Sequence, residues 1–457
     1  MTIPVVLFTS DLRVHDHPPL RAALEGAHEV VPLFVRDPSV DRVGFAAPNR
    51  LAFLADCLAD LDEALQERGG RLVVRTGDTV AEVCAVVRQA QADEVHMAVG
   101  HTAFAVSREA RLRQALEAEG CRLYVHDGVS TVVPPGDVTP QGSDHFAVFT
   151  PYFRRWVDQP LRKPLGAPRA VQVPRTVRSE ELPARSAAYG VSDGLAVGGE
   201  IEGRKRLGSW LSRHADACEE RHDDLAGDAT SRLSPYLHFG AVSPVEVVHR
   251  ARAHGGAGAD AFVRQLCWRD FHYQVLAARP ETSVRDYRSR GDGWRRGEDA
   301  QAELLAWQEG RTGYPIVDAA MRQLAHEGWM HNRARLITAS FLTKTLYIDW
   351  REGARHFLSL LVDGDVVNNQ LNWQWVAGTG TDTRPNRVLN PVRQAQRYDP
   401  EGSYVRWWVP ELAGLEGPAV HEPWRLTGLD RAAYDYPDPL VTLTEGLRRF
   451  RHAREAG

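Results

Sequence analysis

The first 129 residues alternate short apolar runs with amphipathic stretches. Runs rich in β-branched side chains predict five strands, over residues 5–9, 30–35, 72–75, 95–99 and 122–125. Between them, apolar positions spaced about 3.6 residues apart predict helices over 18–25, 49–68, 79–89 and 107–119. Strands that are apolar on both faces and alternate with helices are typical of parallel sheets covered by helices. We therefore expect an α/β doubly wound parallel-sheet domain over residues 1–129.

The rest of the chain predicts a connector and a helical domain. Residues 130–205 are rich in proline and glycine and have weak periodicity, which predicts a long connector that runs over the surface. From residue 206 to residue 457 the apolar spacing is mostly helical, so we expect an all-α domain there. Of the twelve tryptophans, eleven lie between Trp210 and Trp424. This uneven distribution supports two domains of different kinds.

Composition limits the class of protein. With 43% hydrophobic and 25% charged residues, the chain has the composition of a globular protein. No apolar run approaches the ~20 residues that cross a bilayer, and the amino end has no secretory signal pattern. The five cysteines are scattered and form no CxxC pair, which argues against a disulfide framework and a zinc site. We expect a cytoplasmic protein with no membrane span and no bound metal.

Some common ligand motifs are missing. No lysine follows a glycine, so there is no Walker A phosphate loop, and no GxGxxG follows the first predicted strand. His326 and His331 lie five positions apart, so they diverge on a helix and do not form a zincin pair. The net charge of −5 does not by itself indicate a nucleic-acid binder, although a local basic face is compatible with it.

A hydroxyl cluster precedes two predicted helices. Its hydroxyls belong to Thr230, Ser231 and Ser234, and Arg232 and Leu233 lie between them. Ser234 before a proline predicts a helix N-cap, and the spacing from Ser243 to Glu246 is that of a capping box. The hydroxyls therefore either only cap helices or surround a helix start that binds a phosphate.

Two further helices carry polar faces. In the helix predicted over 260–277, Gln265, Trp268, Arg269 and His272 share one face, which indicates either a cavity wall or a tryptophan packed beside a neighbouring domain. In the segment from Trp329 onward, one face carries an amide, a guanidinium and a leucine, at Asn332, Arg335 and Leu336.

Acidic and aromatic residues follow downstream. Asp363 and Asp365 are either helix caps or partners of an arginine beside a polar cofactor ring, and they are too few for a good metal site. Trp294, Trp350 and Trp373 belong to a larger set of tryptophans. Indoles are easily oxidised, so the set either packs helices or conducts electrons from a cofactor to the surface.

Four segments, taken in order, resemble the flavin domain of the photolyase and cryptochrome family. They are TSRLSPYLHFG (230–240), QLCWRDF (265–271), TGYPIVDAAMRQLAHEGWMHN (312–332) and DGDVVNNQLNWQWVAGTGT (363–381). The resemblance covers nearly the whole chain, because that family joins an α/β antenna domain through a connector to a helical domain that binds FAD. Within the family, the segments are most like those of class I photolyases that act on cyclobutane pyrimidine dimers.

The resemblance implies FAD, active as FADH⁻, as the cofactor. The residues that it assigns to FAD are Thr230, Ser231, Arg232, Leu233, Ser234, Phe262, Gln265, Arg269, Asn332, Arg335, Asp363, Gly364, Asp365 and Asn369. Among them, Asn369 takes the position that faces flavin N5. A neutral amide there can accept from N5–H without adding charge, which favours the reduced flavin that repair requires.

The resemblance also implies blue-light-driven DNA repair. Photolyases extrude their target bases, and photoexcited FADH⁻ then donates an electron to a cyclobutane pyrimidine dimer, which splits into two pyrimidines. The residues implied to contact DNA are Trp268, Trp375, Asn332, Arg333, Leu336 and Arg387. The catalytic residues implied are Gln265, Asn369 and the electron-transfer chain of Trp373, Trp350 and Trp294, in order from the flavin to the surface.

Two alternatives stay open. Gln265 is more typical of (6-4) photolyases, although His331 and Asn332 depart from the His-His pair expected in them. A cryptochrome-type flavin photoreceptor is the other alternative, although the helical pattern continues to Arg454 with no long tail after it. We expect a monomer whose partner is UV-damaged DNA. The antenna domain departs from the family pattern at Ser10 and over 100–111, so a second chromophore (deazaflavin, folate or flavin) is undetermined.

Overall fold

A five-stranded parallel sheet forms the amino-terminal part of the protein. The structure is a computed structural model that describes residues 3–42 and 46–456. The strands are β1 (Val5–Phe8), β2 (Val31–Arg36), β3 (Val73–Thr76), β4 (Glu94–Ala98) and β5 (Arg122–His126). Their order is β3-β2-β1-β4-β5, and every neighbouring pair is parallel, with Val5 of β1 opposite Val31 and Val95. The sheet confirms the predicted α/β doubly wound fold class.

Helices cover the sheet between its strands. They are α1 (Pro18–Ala23), α2 (Pro38–Arg42), α3 (Pro48–Gln66), α4 (Thr79–Ala90) and α5 (Ala103–Ala118). The Asp78 side chain accepts from Val80 N and Ala81 N, which starts α4 where the periodicity predicts it. The side chain of Thr102 accepts from Ala105 N and starts α5 four residues before the predicted position. The sequence did not predict α2, which is only five residues long.

The predicted connector contains helical segments and is bound to the helical domain. It contains α6 (Phe149–Trp156), and α7 (Glu200–Arg213) begins inside its predicted range. The buried Asp270 carboxylate accepts hydrogen bonds from Val132 N at 3.0 Å, Val133 N at 2.9 Å and Trp156 Nε1 at 2.8 Å. These bonds attach both ends of this connector segment to one side of a long helix in the carboxyl-terminal part.

The carboxyl-terminal part is helical, as predicted. Its helices after α7 are α8 (Cys218–Arg221), α9 (Ser234–His238), α10 (Pro244–His254), α11 (Ala257–Ala278), α12 (Glu298–Gln308), α13 (Pro315–Glu327), α14 (Asn332–Ser340), α15 (Trp350–Leu360), α16 (Val366–Ala377), α17 (Pro391–Tyr398), α18 (Ser403–Trp408), α19 (Gly428–Ala432) and α20 (Leu443–Ala456). A π-helical turn, Phe341–Thr345, follows α14. Within the described residues, none of the helices is long and apolar enough to span a bilayer.

The sheet domain and the helical domain share a closely packed contact. Arg13, after β1, is buried and donates from Nη1 to Gly240 O at 2.8 Å, while Leu12 N donates to Phe239 O at 3.1 Å. Gly240 has a φ of +64°, and a Cβ added there would lie 2.0 Å from Ser10 O. Only glycine therefore fits at this point. The contact holds the sheet against α9, at the edge of the cavity described next.

Candidate functional site

A cavity of about 450 Å³ lies among α9, α11, α14, α15 and α16. The predicted site residues that line it are Ser231, Leu233, Ser234, Phe262, Gln265, Trp268, Arg269, Asn332, Arg333, Arg335, Leu336, Asp363, Asp365, Asn369, Trp373 and Trp375. Those that lie outside its lining are Thr230, Arg232, Gly364, Arg387, Trp350 and Trp294. The structure therefore brings most of the predicted site into one space, although the segments are far apart in the sequence.

An ion pair lies at the cavity wall. Arg335 Nη2 is 2.8 Å from Asp363 Oδ2, and Arg335 Nε donates to Met330 O at 2.9 Å. The pair joins the start of α14 to the turn before α16. Asp363 Oδ1 is buried and has no hydrogen-bond partner within the described part of the chain. Because a buried carboxylate oxygen needs a donor, this atom is available to a polar ligand in the cavity.

A second carboxylate organises the adjoining wall. Asp365 Oδ1 accepts from Val367 N and caps α16, while Oδ2 accepts from Asn368 Nδ2 at 2.5 Å and from Tyr273 OH at 3.2 Å. Arg269 Nη2 donates to Tyr273 OH at 3.2 Å. These bonds connect α11 to α16, so the two helices hold their polar side chains in a fixed arrangement.

The Asn369 side chain has one of its two polar atoms engaged. Its Nδ2 donates to Ala354 O at 3.1 Å and to Gln370 Oε1 at 3.2 Å. This network assigns the orientation of the amide and leaves Oδ1 as the atom that can accept from a ligand. Asn369 lines the cavity, so the acceptor required by the resemblance is present at this position.

The hydroxyl cluster before α9 differs in part from its prediction. Leu233 takes the N-cap position and makes no side-chain cap, so the prediction that Ser234 caps this helix is wrong. Ser234 Oγ instead accepts from Trp329 Nε1 at 3.2 Å, and the buried Thr230 Oγ1 has no partner in the described residues. By contrast, Ser243 does cap α10, because its Oγ accepts from Glu246 N.

Arg232 does not line the cavity. It has a φ of +48°, donates to Asp228 and Glu327, and lies 4.2 Å from the centre of the Trp329 ring. The sequence contained no signal for this orientation, because Glu327 and Trp329 are about a hundred positions further along the chain. Arg232 therefore packs against Trp329, whose indole N–H donates to Ser234 of the hydroxyl cluster.

Flat aromatic surfaces lie at the cavity mouth. The Trp268 ring stacks on Phe149 of α6, with centroids 3.7 Å apart and an interplanar angle of 2°. The Arg387 guanidinium lies 5.0 Å from the centre of the Trp375 ring. Both tryptophans line the cavity, and the exposed Gln265 lies at its edge. Arg333, also predicted to contact DNA, is paired with Asp223 at 2.5 Å.

The three tryptophans predicted to carry electrons differ in their exposure to solvent. Trp373 lines the cavity, and its Cη2 lies 2.2 Å from the position of a Cβ built on Gly353. Trp350 is fully buried one turn before Gly353 and donates from Nε1 to Asp286 Oδ1 at 2.8 Å. Trp294 is half-buried, and its ring lies 4.9 Å from that of Tyr347. Trp373 and Trp350 are therefore both buried, and Trp294 is the one of the three that is partly exposed.

Twelve lining residues were not assigned to the site from the sequence. The polar ones among them are His222, Asp223, His238, His272, Asn368 and Asn372. His272 is 2% exposed, its Nδ1 donates to Asn368 Oδ1 at 3.0 Å, and its Nε2 has no partner in the described residues. Burial lowers the pKa of His272 to about 4, so the ring is neutral and Nε2 is an acceptor. The polar face of α11 was the signal for this residue, since it also carries Gln265 and Arg269.

Polar atoms without partners and apolar walls together fit a large ligand with a flat ring and polar edges. Among the described residues that line the cavity, Asp363 Oδ1 and His272 Nε2 have no hydrogen-bond partner, while Phe262 and Leu336 supply apolar surface. Such a mixture of convergent polar atoms and apolar surface is typical of cofactor sites. The lining of the cavity therefore suits an organic cofactor.

Family comparisons agree with the arrangement of the site. Residues 4–170 match the family described as DNA photolyase, and residues 262–456 match the FAD binding domain of DNA photolyase. A deoxyribodipyrimidine photo-lyase of Streptomyces griseus is 64% identical over 455 residues, which are 99% of each chain.

Solved structures give the same family. A bacterial class III photolyase from Agrobacterium tumefaciens superposes with a TM-score of 0.93 at 31% identity, and covers 100% of this chain and 98% of its own. A cryptochrome of Synechocystis sp. superposes with a TM-score of 0.91 at 30% identity, over 99% of each chain. The fold is therefore shared by a photolyase and a cryptochrome, and it does not by itself assign an activity.

Proposed function

The chain belongs to the DNA photolyase family, and from that membership we propose that its cavity performs light-driven DNA repair with deoxyribodipyrimidine photo-lyase activity. The observation that carries the proposal is the shared cavity, in which the Arg335–Asp363 pair, Asn369 and the Trp268 ring all form the lining. One part of this space suits a flavin, and the aromatic mouth suits flat bases. A photoreceptor requires no such mouth for a lesion.

The helical domain binds FAD. When bound and excited by blue light, FAD in its reduced form supplies the electron that splits the dimer. Asp363 Oδ1 and Asn369 Oδ1 are the acceptors that this chain offers to flavin N–H groups, while Arg335 holds the Asp363 carboxylate in place. The hydroxyls of Ser231 and Ser234 are donors for the phosphates. The closely packed helices exclude water from the flavin.

The mouth of the cavity binds the lesion. Trp268, held flat by Phe149, and Trp375 provide planes on which an extruded pair of bases can stack. Gln265 and Asn332 offer amide donors and acceptors to the base edges. Arg387 lies at the rim, where it can contact a phosphate.

The tryptophans recharge the cofactor in this proposal. Trp373 lines the cavity, and its ring packs against Gly353. Trp350 is buried one helical turn before Gly353, and Trp294 is partly exposed. Electrons from outside can therefore pass through the indoles to the flavin without DNA being present.

Repair of (6-4) lesions is a second candidate. Gln265, which lines the cavity, favours it. However, His331 Nδ1 accepts from Arg333 N and caps α14, and this histidine does not line the cavity. The first candidate is therefore the better supported of the two.

We further propose that the protein acts as a monomer in the cytoplasm. Residues of a single chain line the whole cavity, so a second copy is not needed to complete it. The five cysteines are unpaired and buried, which suits a reducing compartment.

The test is to incubate the reduced, flavin-loaded protein with DNA that contains either lesion, and to measure the lesion content after blue light and after darkness. The proposal predicts loss of cyclobutane dimers in the light only. Loss of (6-4) lesions alone would support the second candidate. If neither lesion is lost in the light, the repair assignment is wrong and the photoreceptor remains.

A further inference from the structure

Lys344 is a buried lysine outside the cavity. It lies in the π-helical turn after α14 and is 1% exposed. In the described residues, no carboxylate oxygen comes within ion-pair distance of its Nζ. A buried charge without a paired carboxylate is costly, so other polar groups must compensate it.

Two backbone carbonyls provide this compensation. Lys344 Nζ donates to Pro385 O at 2.5 Å and to Arg387 O at 2.9 Å. Both carbonyls belong to the rim loop, residues 378–390, which joins α16 to α17. Gly378 starts this loop with a φ of +82°, and a Cβ added there would lie 2.3 Å from Pro385 O. The loop therefore folds back over the end of α16, and the buried Lys344 binds two of its backbone carbonyls.

The rim loop presents two arginines to solvent. Arg384 and Arg387 are exposed, and Arg387 N donates to Arg384 O at 3.0 Å, so both lie in one turn. In the described part of the chain, neither guanidinium takes part in an ion pair. Arg387 lies over Trp375, which lines the cavity. Two guanidinium groups that form no ion pair within the described residues thus lie beside the mouth.

We propose that the rim loop is a phosphate-binding surface for the DNA strand beside the lesion, with Arg384 as a second phosphate contact, and that Lys344 is the positioning residue that shapes it. The inference rests on the proposed function, because it takes DNA as the substrate. Guanidinium groups pair well with phosphate oxygens, and a fixed backbone lowers the entropy lost when they bind. With its carbonyls held inward by Lys344, the loop directs its arginine side chains outward.

The experiment measures binding of the flavin-loaded protein, in the dark, to a duplex with one thymine dimer at several salt concentrations. Lys344→Met should weaken binding about tenfold, because it removes the charged donor that holds the loop. The slope of log Kd against log salt should become shallower by about 1 to 2, since phosphate contacts are lost. Lys205→Met is the matched control: it is the same substitution on an exposed lysine of α7, and it should leave both quantities unchanged.

The outcomes separate this inference from the proposed function. If Lys344→Met keeps its flavin but shows the parent affinity and salt slope, Lys344 is only a packing residue and the inference is wrong. Light-driven splitting at saturating DNA would still persist in that case. Arg384→Ala should make the salt slope shallower by about 1. An unchanged slope would show that Arg384 does not contact a phosphate.

A pH profile keeps the test decisive if Lys344→Met does not fold. Burial lowers the pKa of Lys344 to about 7. The charged groups around it are Arg454 of α20, Asp382 and Arg387 of the rim loop, and Asp292 before α12. Lesion affinity of the parent should fall as the pH rises through about 7, because the ammonium is lost, and Lys344→Arg should reduce this fall. A parent profile with no fall would contradict the positioning role.

Discussion

The stacked Trp268 ring is a clear target among single residues. Phe149 covers one of its faces at 3.7 Å, so the ring is already fixed before DNA binds. Trp268→Ala should weaken binding of dimer-containing DNA by ~1 to 3 kcal/mol, the usual contribution of one stacked base. Titration in the dark measures the loss, with the exposed Trp407→Ala as control. A binding curve equal to that of the parent would exclude Trp268 from the lesion site.

The Asp363 carboxylate offers a second test at the residue scale. Asp363→Asn removes the negative charge that pairs with Arg335 and replaces one of the two carboxylate acceptor oxygens with an amide NH2 donor. We expect FAD to bind at least about tenfold more weakly, because hydrogen bonds to a charged acceptor are among the stronger ones. Flavin retained after ultrafiltration measures this change. Asp430→Asn on the surface is the control, and equal retention in both variants would contradict the role of Asp363.

Single residues show what a sequence can and cannot predict about a site. The helical spacing placed Gln265 and Trp268 on one face of α11, the family resemblance joined them to Arg335 of α14, and all three line one cavity. The orientation of Arg232 was not predictable, because its partners Glu327 and Trp329 come from a distant segment. Local spacing shows which side chains share a face, whereas tertiary partners decide which atoms remain free.

At the scale of elements, α11 has two different faces. One lines the cavity, and the other carries Asp270, which holds the connector through Val132, Val133 and Trp156. The element that positions Trp268 therefore also anchors the connector helix that carries Phe149. Movement of one is expected to disturb the other.

The Asp270 anchor has a predictable pH dependence. Burial raises the pKa of Asp270 from 3.8 to about 6, so the folded state holds a proton that the unfolded state releases at lower pH. Its stabilising contribution is fully present below pH 3.8 and is lost as the pH rises through about 6. Urea unfolding at several pH values between 3.8 and about 6 should measure this loss. As the pH rises, the free energy of unfolding of the parent should fall relative to that of Asp270→Asn. A difference that stays constant with pH would contradict this explanation.

The strands were predictable and the connector was less so. Each apolar run of the first part became a parallel strand, because both faces of such a strand are buried. The start of α7 at Glu200 was not predicted. Its reason is tertiary, since the buried Glu200 carboxylate accepts from Val14 N at 2.8 Å in the loop after β1. The sequence of a segment that is rich in proline and glycine does not indicate such contacts.

At the scale of the whole molecule, the proposed function uses two separate routes for electrons, one into the flavin and one out to the lesion. Trp373 lines the cavity on the inner side, and the lesion planes Trp268 and Trp375 lie at its mouth. Trp373→Phe should slow photoreduction of oxidised flavin but spare repair by the chemically reduced protein, because in the proposed function the tryptophans only recharge the cofactor. Absorbance under illumination follows the first rate, and dimer loss follows the second. An equal decrease in both rates would contradict this separation.

Docking of the two domains is the property that the sequence revealed least. Arg13 contacts Gly240 across 227 positions of the chain, and the close approach at Ser10 depends on a glycine in a loop. No local pattern indicates a contact of this kind. The family resemblance implied two domains, whereas the packing that joins them depends on tertiary contacts between distant segments.

The central claim is that this cavity brings a reduced flavin into contact with a cyclobutane dimer. The most direct measurement is the fluorescence lifetime of the reduced, protein-bound flavin with saturating dimer-containing DNA and with the same DNA undamaged. Electron transfer to the dimer competes with emission, so we predict a shorter lifetime with the damaged DNA only. Equal lifetimes with both DNAs, while binding of the damaged one is confirmed, would contradict the claim.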